Sequence, residues 1–321
     1  MKEKKLILHV GMPKAGSSSL QNYLFQNKNL LARNSLLYPQ AGLFYDKSHN
    51  NLGFSILGTD IWEKPQDIKV LLDEITREIE TQNSDVLILS SELLWTMTDN
   101  ANSKFFFNWV NNYFSDAYLL AIFRTHTEFF QSLFFQFIQD HNLRYAGTFE
   151  DFINVPNISE NGYYAKILGG IENKIRPVLR KSFAYSFTKP LNYKKIILEV
   201  LTVVKQNCEG LDDLVKTGQK NLSIQRPFID LLWCFNKQNI PQQKYIEILK
   251  EIQYNELGRE KTFQYSVMTK STKKFIENKY KSEVEQINER FGNIIEYNLD
   301  NEHFRQIGHI EDKTLLTAYN L

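Results

Sequence analysis

The chain has little that would make it a metal, redox or membrane protein. Its 321 residues include only two cysteines, Cys208 and Cys234, whose separation matches no zinc or dithiol spacing. They read as reduced thiols of an intracellular protein rather than as a disulfide framework. No apolar run approaches the ~18 residues of a membrane-crossing helix. Lys2, Lys4 and Lys5 precede only the short segment Leu6 to Val10 before Gly11, too little for the apolar stretch of a secretory signal. Charge of one sign is lacking as well. Lys and Arg number 38 against 37 Asp and Glu, a net charge of +1, so no general attraction to nucleic acid or anionic membranes is expected. Internal repeats, low-complexity tracts and Pro/Gly/Ser-rich linkers are absent too. A soluble, cytoplasmic protein with no membrane span is the expectation.

What is present begins at residue 6. Leu6 to Val10 is an apolar, strand-forming run that ends at Gly11-Met12-Pro13-Lys14-Ala15-Gly16. Ser17, Ser18 and Ser19 then open a helix whose Leu20 and Leu24 share one face. Gly11 and Gly16 have the spacing of a nucleotide-triphosphate loop, but Ser17 stands where that loop has its lysine. The cation is displaced to Lys14, within the loop. Strand, glycine turn and helix N-terminus still present unpaired N–H donors and the positive end of the helix dipole to an anion. A cation in a different place suggests a leaving group other than the β/γ-phosphates of ATP. The plain alternative is a strand–turn–helix whose serines merely cap the helix.

A second pattern lies near residue 120. Ala117 to Phe123 is a strongly apolar strand, followed directly by Arg124. Thr127 is a candidate N-cap for a helix from Glu128 to about His141, and Ser132 falls eight positions after Arg124. An arginine at a strand end and a serine on the next helix can converge on one phosphate, for which the planar guanidinium is well shaped. A third apolar run, Asp85 to Leu89, ends at Ser90-Ser91-Glu92. In an open parallel α/β sheet all three strand ends would meet at the ligand-binding edge.

Strands and helices alternate along the chain, which predicts a mainly parallel sheet. A short strand is expected at Leu36 to Tyr38, an irregular stretch over 40–65, and a helix over 67–82. Further helices are expected over 105–114, 161–176 and 193–205, and a further core strand over Phe183 to Phe187. Beyond Gly218 the pattern is helical, over 226–237, 242–254 and 272–291. The fold class is α/β: a P-loop NTPase-like three-layer fold with a central, mainly parallel sheet and a helical C-terminal portion. The chain reads as a single domain, 1–321, with core sheet and donor site in about 1–205 and the helical portion in about 206–321.

The order Pro-Lys-x-Gly-Ser-Ser-Ser after an apolar strand resembles the 5′-phosphosulfate loop of sulfotransferases that use 3′-phosphoadenosine 5′-phosphosulfate (PAPS). The arginine-to-serine spacing resembles their 3′-phosphate segment, except that His126 occupies a position where the family often has proline. The Gly-Met-Pro-Lys-x-Gly-Ser-Ser-Ser-Leu-Gln form with Ser-Ser-Glu resembles bacterial enzymes that sulfate glycans. The resemblance implies PAPS as co-substrate with no metal, and a carbohydrate hydroxyl as acceptor. It implies Lys14, Ala15, Gly16, Ser17, Ser18 and Ser19 on the 5′-phosphosulfate, with Lys14 at the bridging oxygen, and Arg124 and Ser132 on the 3′-phosphate. Glu92, after the third strand, is the first candidate base. His49, in Ser-His-Asn-Asn-Leu, is the second, since a neutral imidazole suits proton abstraction near pH 7. His9 reads as a core residue, and His126 and His141 carry no assignment. Lys220 and Asn221 lie in a glycine-containing loop that could close on the nucleotide, and Trp62 and Trp95 flank the site segments. A P-loop kinase of a small molecule and a non-catalytic nucleotide-binding module are the alternatives.

Overall fold

A computed structural model describes residues 3–60, 64–97, 99–187, 191–205, 211, 214, 226–254, 266–297 and 307. Lys220, Asn221, Trp62 and Cys208 lie outside them. The strands are β1 (Lys5–Val10), β2 (Leu36–Leu37), β3 (Val86–Ser91), β4 (Asp116–Phe123) and β5 (Leu179–Ser186). The helices are α1 (Ser17–Gln26), α2 (Lys28–Arg33), α3 (Asn50–Leu57), α4 (Ile68–Thr81), α5 (Ala101–Tyr113), α6 (His126–Gln139) and α7 (Phe149–Asn154). They continue with α8 (Pro156–Glu160), α9 (Tyr164–Lys174), α10 (Tyr193–Lys205), α11 (Arg226–Lys237), α12 (Gln242–Tyr254), α13 (Lys270–Lys279) and α14 (Lys281–Phe291).

The chain forms two compact units, each discontinuous in sequence. The first comprises Met1–Arg124, Tyr164–Lys220 and Glu283–Ile295, and the second Thr125–Tyr163, Asn221–Ser282 and Glu296–Leu321. The units interleave along the sequence and do not follow a single cut near residue 205.

The first unit holds a five-stranded sheet in the order β2-β3-β1-β4-β5, and every pairing is parallel. Parallel strands covered on both faces are expected to be continuously apolar. Leu6, Leu8, Val86, Leu87, Leu89, Leu119 and Ala121 are all buried to within 1%. Right-handed crossovers put α1 and α2 on one face of this order and α3, α4, α5 and α9 on the other. Side-chain contacts agree. Asn111 on α5 donates from Nδ2 to Lys174 O on α9 at 2.8 Å. On the opposite face, Lys5 Nζ on β1 reaches Val204 O on α10 at 2.7 Å, and the rings of Tyr23 and Tyr193 lie 6.3 Å apart. The result is a three-layer α/β sandwich with β1 in the middle.

Local sequence chemistry sets the ends. Asp67 caps α4 by accepting from Lys69 N and Val70 N, and the apolar stripe Ile68, Leu71, Leu72, Ile75 and Ile79 is buried. The stretch 40–65, expected to be irregular, contains α3, which ends at Gly58 in the left-handed region. It is only eight residues long and opens on Asn50-Asn51 with Gly53 inside, so a pattern reading sees loop residues rather than a helical period. The strand expected from Phe183 begins earlier, at Leu179, because Arg180 and Lys181 point outward at the entry edge while the pairing with β4 is already formed.

The second unit is helical and aromatic. Phe134 on α6 packs its ring 5.3 Å from Phe149 and 5.3 Å from Phe152 of α7. Asn236 on α11 donates to Ile138 O at 2.9 Å, in the last turn of α6, and to Tyr145 O at 3.1 Å, in the loop that follows it. The expected helix over 272–291 is two helices broken at Tyr280: α13, in this unit, and α14, most of which belongs to the first.

Leu8 is fully buried at the centre of the sheet, whereas Val70 on α4 is 55% exposed. Leu8→Ala should cost about 2–5 kcal/mol and Val70→Ala less than about 0.5 kcal/mol, measured as shifts in urea midpoint at constant slope.

Candidate functional site

β1 ends in a loop whose backbone conformation is unusual. Lys14 has φ 64° and Gly16 has φ 86°. Left-handed backbone is ordinary for glycine but costs a side-chain-bearing residue ~1–2 kcal/mol, and such residues concentrate at ligand clamps. Gly16 is the N-cap of α1 and contributes no side-chain cap bond. None of the three serines caps the helix, so the plain capping explanation for them does not hold. Ser17 Oγ turns back to Met12 O at 3.3 Å. Ser19 N and Leu20 N both bond Gly16 O, so the N–H groups of Ser17 and Ser18 precede the first intrahelical bond and belong to the open end of the dipole. Ala15 is fully buried, and its N–H is used by Met12 O at 3.3 Å. It shapes the loop rather than offering a donor.

Glycine is required at both ends of this cradle. A Cβ on Gly11 would meet Ser17 Oγ at 2.5 Å, and one on Gly16 would meet Phe187 at 2.7 Å and Tyr193 Oη at 2.9 Å. Phe187 directly follows β5, and Tyr193 opens α10 and donates its hydroxyl to Gly16 O at 3.3 Å. Sequence reading missed both. The strand-end rule that selects Arg124 applies equally to Phe187, but the expected strand runs through Phe187 whereas β5 ends at Ser186.

Arg124 meets this loop from β4. Its Nη1 donates to Lys14 O at 3.1 Å, and its guanidinium lies 5.0 Å from the centre of the Phe187 ring. Residues 110 positions apart are therefore joined at the carboxyl edge of the sheet. Ser132 lies in the second unit, half-buried as the seventh residue of α6. That helix starts at His126, and its cap is Thr125, which accepts from Glu128 N, rather than the expected Thr127.

Glu92 is the third contributor. β3 pairs directly with β1 and ends level with it, Val10 opposite Ser91. Glu92 then begins a short 3-10 turn, Glu92–Thr96, capped by Ser91, whose side chain accepts from Leu93 N. Burial pushes the Glu92 carboxyl above the ordinary carboxylate range, Lys14 draws it back down, and Asp46 pushes it up. Lys14 and Asp46 therefore act on Glu92 with opposite sign. Asp46 was not singled out from the sequence, although it lies three positions before His49.

His49 is placed otherwise than a base requires. It is fully buried. Its Nδ1 accepts the Ser90 N–H at 3.1 Å, Nε2 lies 3.2 Å from Pro39 O, and its own N–H bonds Ser90 O at 2.7 Å. The lone pair on Nδ1 is therefore taken, and Nε2 carries the proton toward Pro39. With both nitrogens engaged, no atom is left for a substrate hydroxyl. The expectation of a His49 base is corrected: the ring staples the segment before α3 to the end of β3. Burial lowers its pKa to about 4, so it stays neutral. Asn50 continues the staple by accepting from Ser91 Oγ at 2.7 Å. His9 is the core residue expected, fully buried with Nδ1 2.7 Å from Ser90 Oγ.

The remaining candidates lie apart from this cluster. His126, in the second unit, is buried, bonds Gly162 O at 2.8 Å and stacks on Tyr280 at 4.7 Å. The carbonyl of His141 accepts from Gln242 at 3.4 Å. Trp95 is buried against Phe123 and Tyr164 and fills the core. Among the described residues, no helix is long and apolar enough to cross a membrane.

No protein-family model and no curated protein matches the chain. A search of solved structures finds similarity to a chain of the PezAT chromosomal toxin-antitoxin system of Streptococcus pneumoniae. It is 13% identical, with 78% of this chain and 88% of that chain covered and a TM-score of 0.32, too low to carry an argument.

Two outcomes are expected. Gly16→Ala should destabilise the fold by at least the ~1–2 kcal/mol of a left-handed alanine, more if Phe187 cannot shift, read from the denaturant midpoint. His49, with its pKa lowered from 6.5 to about 4, binds its proton less readily folded than unfolded. Stability should therefore fall as pH drops from about 6.5 toward about 4, and His49→Gln should flatten that slope in thermal melts across the window.

Proposed function

We propose that the chain transfers a sulfuryl group from PAPS to a hydroxyl of a carbohydrate acceptor. The observation that carries this reading is the cradle itself. It is a glycine loop on the central strand with its cation at Lys14 and a serine where a triphosphate loop has lysine. A guanidinium and a carboxylate stand on the two flanking strands. Lys14, the open N–H groups of Ser17 and Ser18 and the hydroxyls of the serine triplet supply positive potential and donors for a phosphosulfate. Arg124 is positioned by the same loop and would serve the 3′-phosphate. No step calls for a metal when a side-chain cation meets the charge on the leaving group.

The chemistry follows from those positions. The acceptor oxygen attacks sulfur in line as the bond from sulfur to the bridging phosphate oxygen breaks. The acceptor proton passes to Glu92. The leaving group is 3′-phosphoadenosine 5′-phosphate, and its new negative charge develops beside Lys14. As in phosphoryl transfer, the protein mostly positions groups and stabilises charge. A carboxylate whose pKa is raised by burial is a stronger base than one in water, provided the pH keeps it ionised. Exopolysaccharide, capsule or lipopolysaccharide sugars are the acceptor class, and a cytoplasmic location fits a soluble donor nucleotide.

A second reading rests on the sheet order and the spacing of the two glycines, which suit any nucleotide-binding P-loop protein. It shares the cradle and differs in the donor: an ATP-dependent kinase of a small molecule, or a module that binds a nucleotide without turnover.

The test is transfer of label from PAPS to a panel of oligosaccharides. Glu92→Gln should lower transfer ~10²–10⁴-fold and Lys14→Ala ~10²–10³-fold, with the folded state retained in both. Wild-type transfer should fall on acidification, with its midpoint above the ordinary carboxylate range, because only ionised Glu92 accepts the proton. Because the fold disfavours the charged form of Glu92, Glu92→Gln should melt no lower than wild type at neutral pH. Label passing from ATP, or from PAPS to no sugar, would remove the sulfuryl reading.

A further inference from the structure

A carboxylate that must meet a substrate hydroxyl cannot have its oxygens taken by the protein, so the backbone beneath it has to set its place. Among the described residues no hydrogen bond or ion pair holds the Glu92 carboxylate itself. The turn that carries it is held on both sides. Ser91 Oγ accepts from Leu93 N at 3.2 Å and donates to Asn50 Oδ1 at 2.7 Å. A hydroxyl has one proton. Giving it to Asn50 leaves the serine lone pairs for the Leu93 N–H, so the two bonds use Ser91 in complementary senses. The other end of the Asn50 amide sets its orientation. Nδ2 approaches Asp46 Oδ2 at 3.5 Å, and only the amide nitrogen can donate to a carboxylate.

Gly53 lies three residues after Asn50, on the same face of α3. A Cβ at Gly53 would stand 2.6 Å from Leu93 Cβ and 2.9 Å from Ser91 Oγ. Leu93 Cβ is fixed to its backbone, so room for a side chain comes only from moving the turn or the helix. The helix is tied at both ends. His49 N bonds Ser90 O at 2.7 Å before its first residue. Near its last turn, Asn102 Nδ2 donates to Ser55 O at 2.8 Å and Asn100 Nδ2 to Ile56 O at 3.0 Å, both from the start of α5. The residues on either side of Glu92, Ser91 and Leu93, therefore rest directly on a braced helix.

We infer that Asn50 and Gly53 are positioning residues for Glu92. Asn50 acts by a hydrogen bond through Ser91, and Gly53 by a close approach to Leu93 that a side chain would forbid. Both act through the turn, and together they make α3 the brace that sets where the carboxylate stands. A base already fixed by the framework needs little reorganisation when its acceptor arrives. The catalytic consequence rests on the reading of Glu92 as the base of sulfuryl transfer, whereas the bracing of the turn can be read from the carboxyl group alone.

The experiment follows the Glu92 side-chain carboxyl by NMR across pH in the full chain labelled at glutamate, its resonance assigned by its loss in Glu92→Gln. Transfer from PAPS is measured on the same samples. Asn50→Ala and Gly53→Ala should each move the Glu92 titration down toward the ordinary carboxylate range, because a loosened turn lets water reach a carboxyl that burial holds up. Each should lower kcat about tenfold or more, toward the ~10²-fold loss that a displacement of ~1 Å brings, with KM for PAPS unchanged. Leu72→Ala, a buried position on α4, should lower stability yet leave the titration and kcat as in wild type, which separates positioning from general destabilisation. Asn50→Ala introduces no overlap and carries the test if Gly53→Ala does not fold. A wild-type Glu92 titration, or a wild-type kcat, in folded Asn50→Ala overturns the inference and leaves the sulfotransferase reading standing. A shifted titration in a chain that transfers no sulfuryl group keeps the brace and removes that reading.

Discussion

The conformation of the loop between β1 and α1 depends on one contact above the others: the Arg124 guanidinium on the carbonyl of Lys14. Lys14 sits in a left-handed region that a lysine does not choose on its own. Something must hold it there, and the hydrogen bond from β4 does so on one side. The Phe187 ring lies under the same guanidinium, and Tyr193 closes on Gly16. A strained residue held by its surroundings is the arrangement expected where a group must be kept at a fixed point. The arginine is thus first a part of the loop's frame, and any ligand it serves meets a guanidinium already oriented by the protein.

The sheet explains why these groups meet. Five parallel strands with β1 central place three chain-distant segments side by side: the loop after β1, Glu92 after β3 and Arg124 after β4. The staple at His49 extends the pattern to the loop before α3, since it ties Pro39 and Ser90 through one imidazole. A ring that first suggested proton chemistry proves to be framework. Its burial keeps it neutral, and neutrality is what lets one nitrogen donate while the other accepts.

Much of this was legible in the sequence, for identifiable reasons. β1, β3 and β4 are continuous apolar runs because both faces of each are covered, and their polar successors, Gly11, Glu92 and Arg124, mark the ligand edge by the geometry of parallel sheets. Lys14 and Gly16 could be picked out because a proline-lysine inside a glycine turn is rare chemistry for a plain connection. Other features were not legible. The role of His49 depends on which atoms its two nitrogens meet, and a lone histidine in a loop carries no such information. α3 was hidden because it is short and carries Asn50, Asn51 and Gly53, residues typical of loops, yet is buried on most sides. Phe187 meets Arg124 through a tertiary contact, and Asp46 bears on Glu92 only through the fold; nothing in their local sequence announces either. The interleaving of the two units depends on contacts between segments far apart in the chain, such as Glu283 with the N-terminus of α9, which local pattern does not encode.

The central claim is that a displaced cation and a strand-end arginine form one site for a doubly phosphorylated adenosine. Isothermal titration of the wild type with 3′-phosphoadenosine 5′-phosphate in the presence of chelator, alongside ATP with magnesium, addresses it most directly. The account predicts saturable binding of the bisphosphate, weakened at least tenfold by Lys14→Ala and by Arg124→Ala in folded protein, and much weaker binding of ATP. Tighter binding of magnesium-ATP than of the bisphosphate, or bisphosphate binding indifferent to both substitutions, would contradict it.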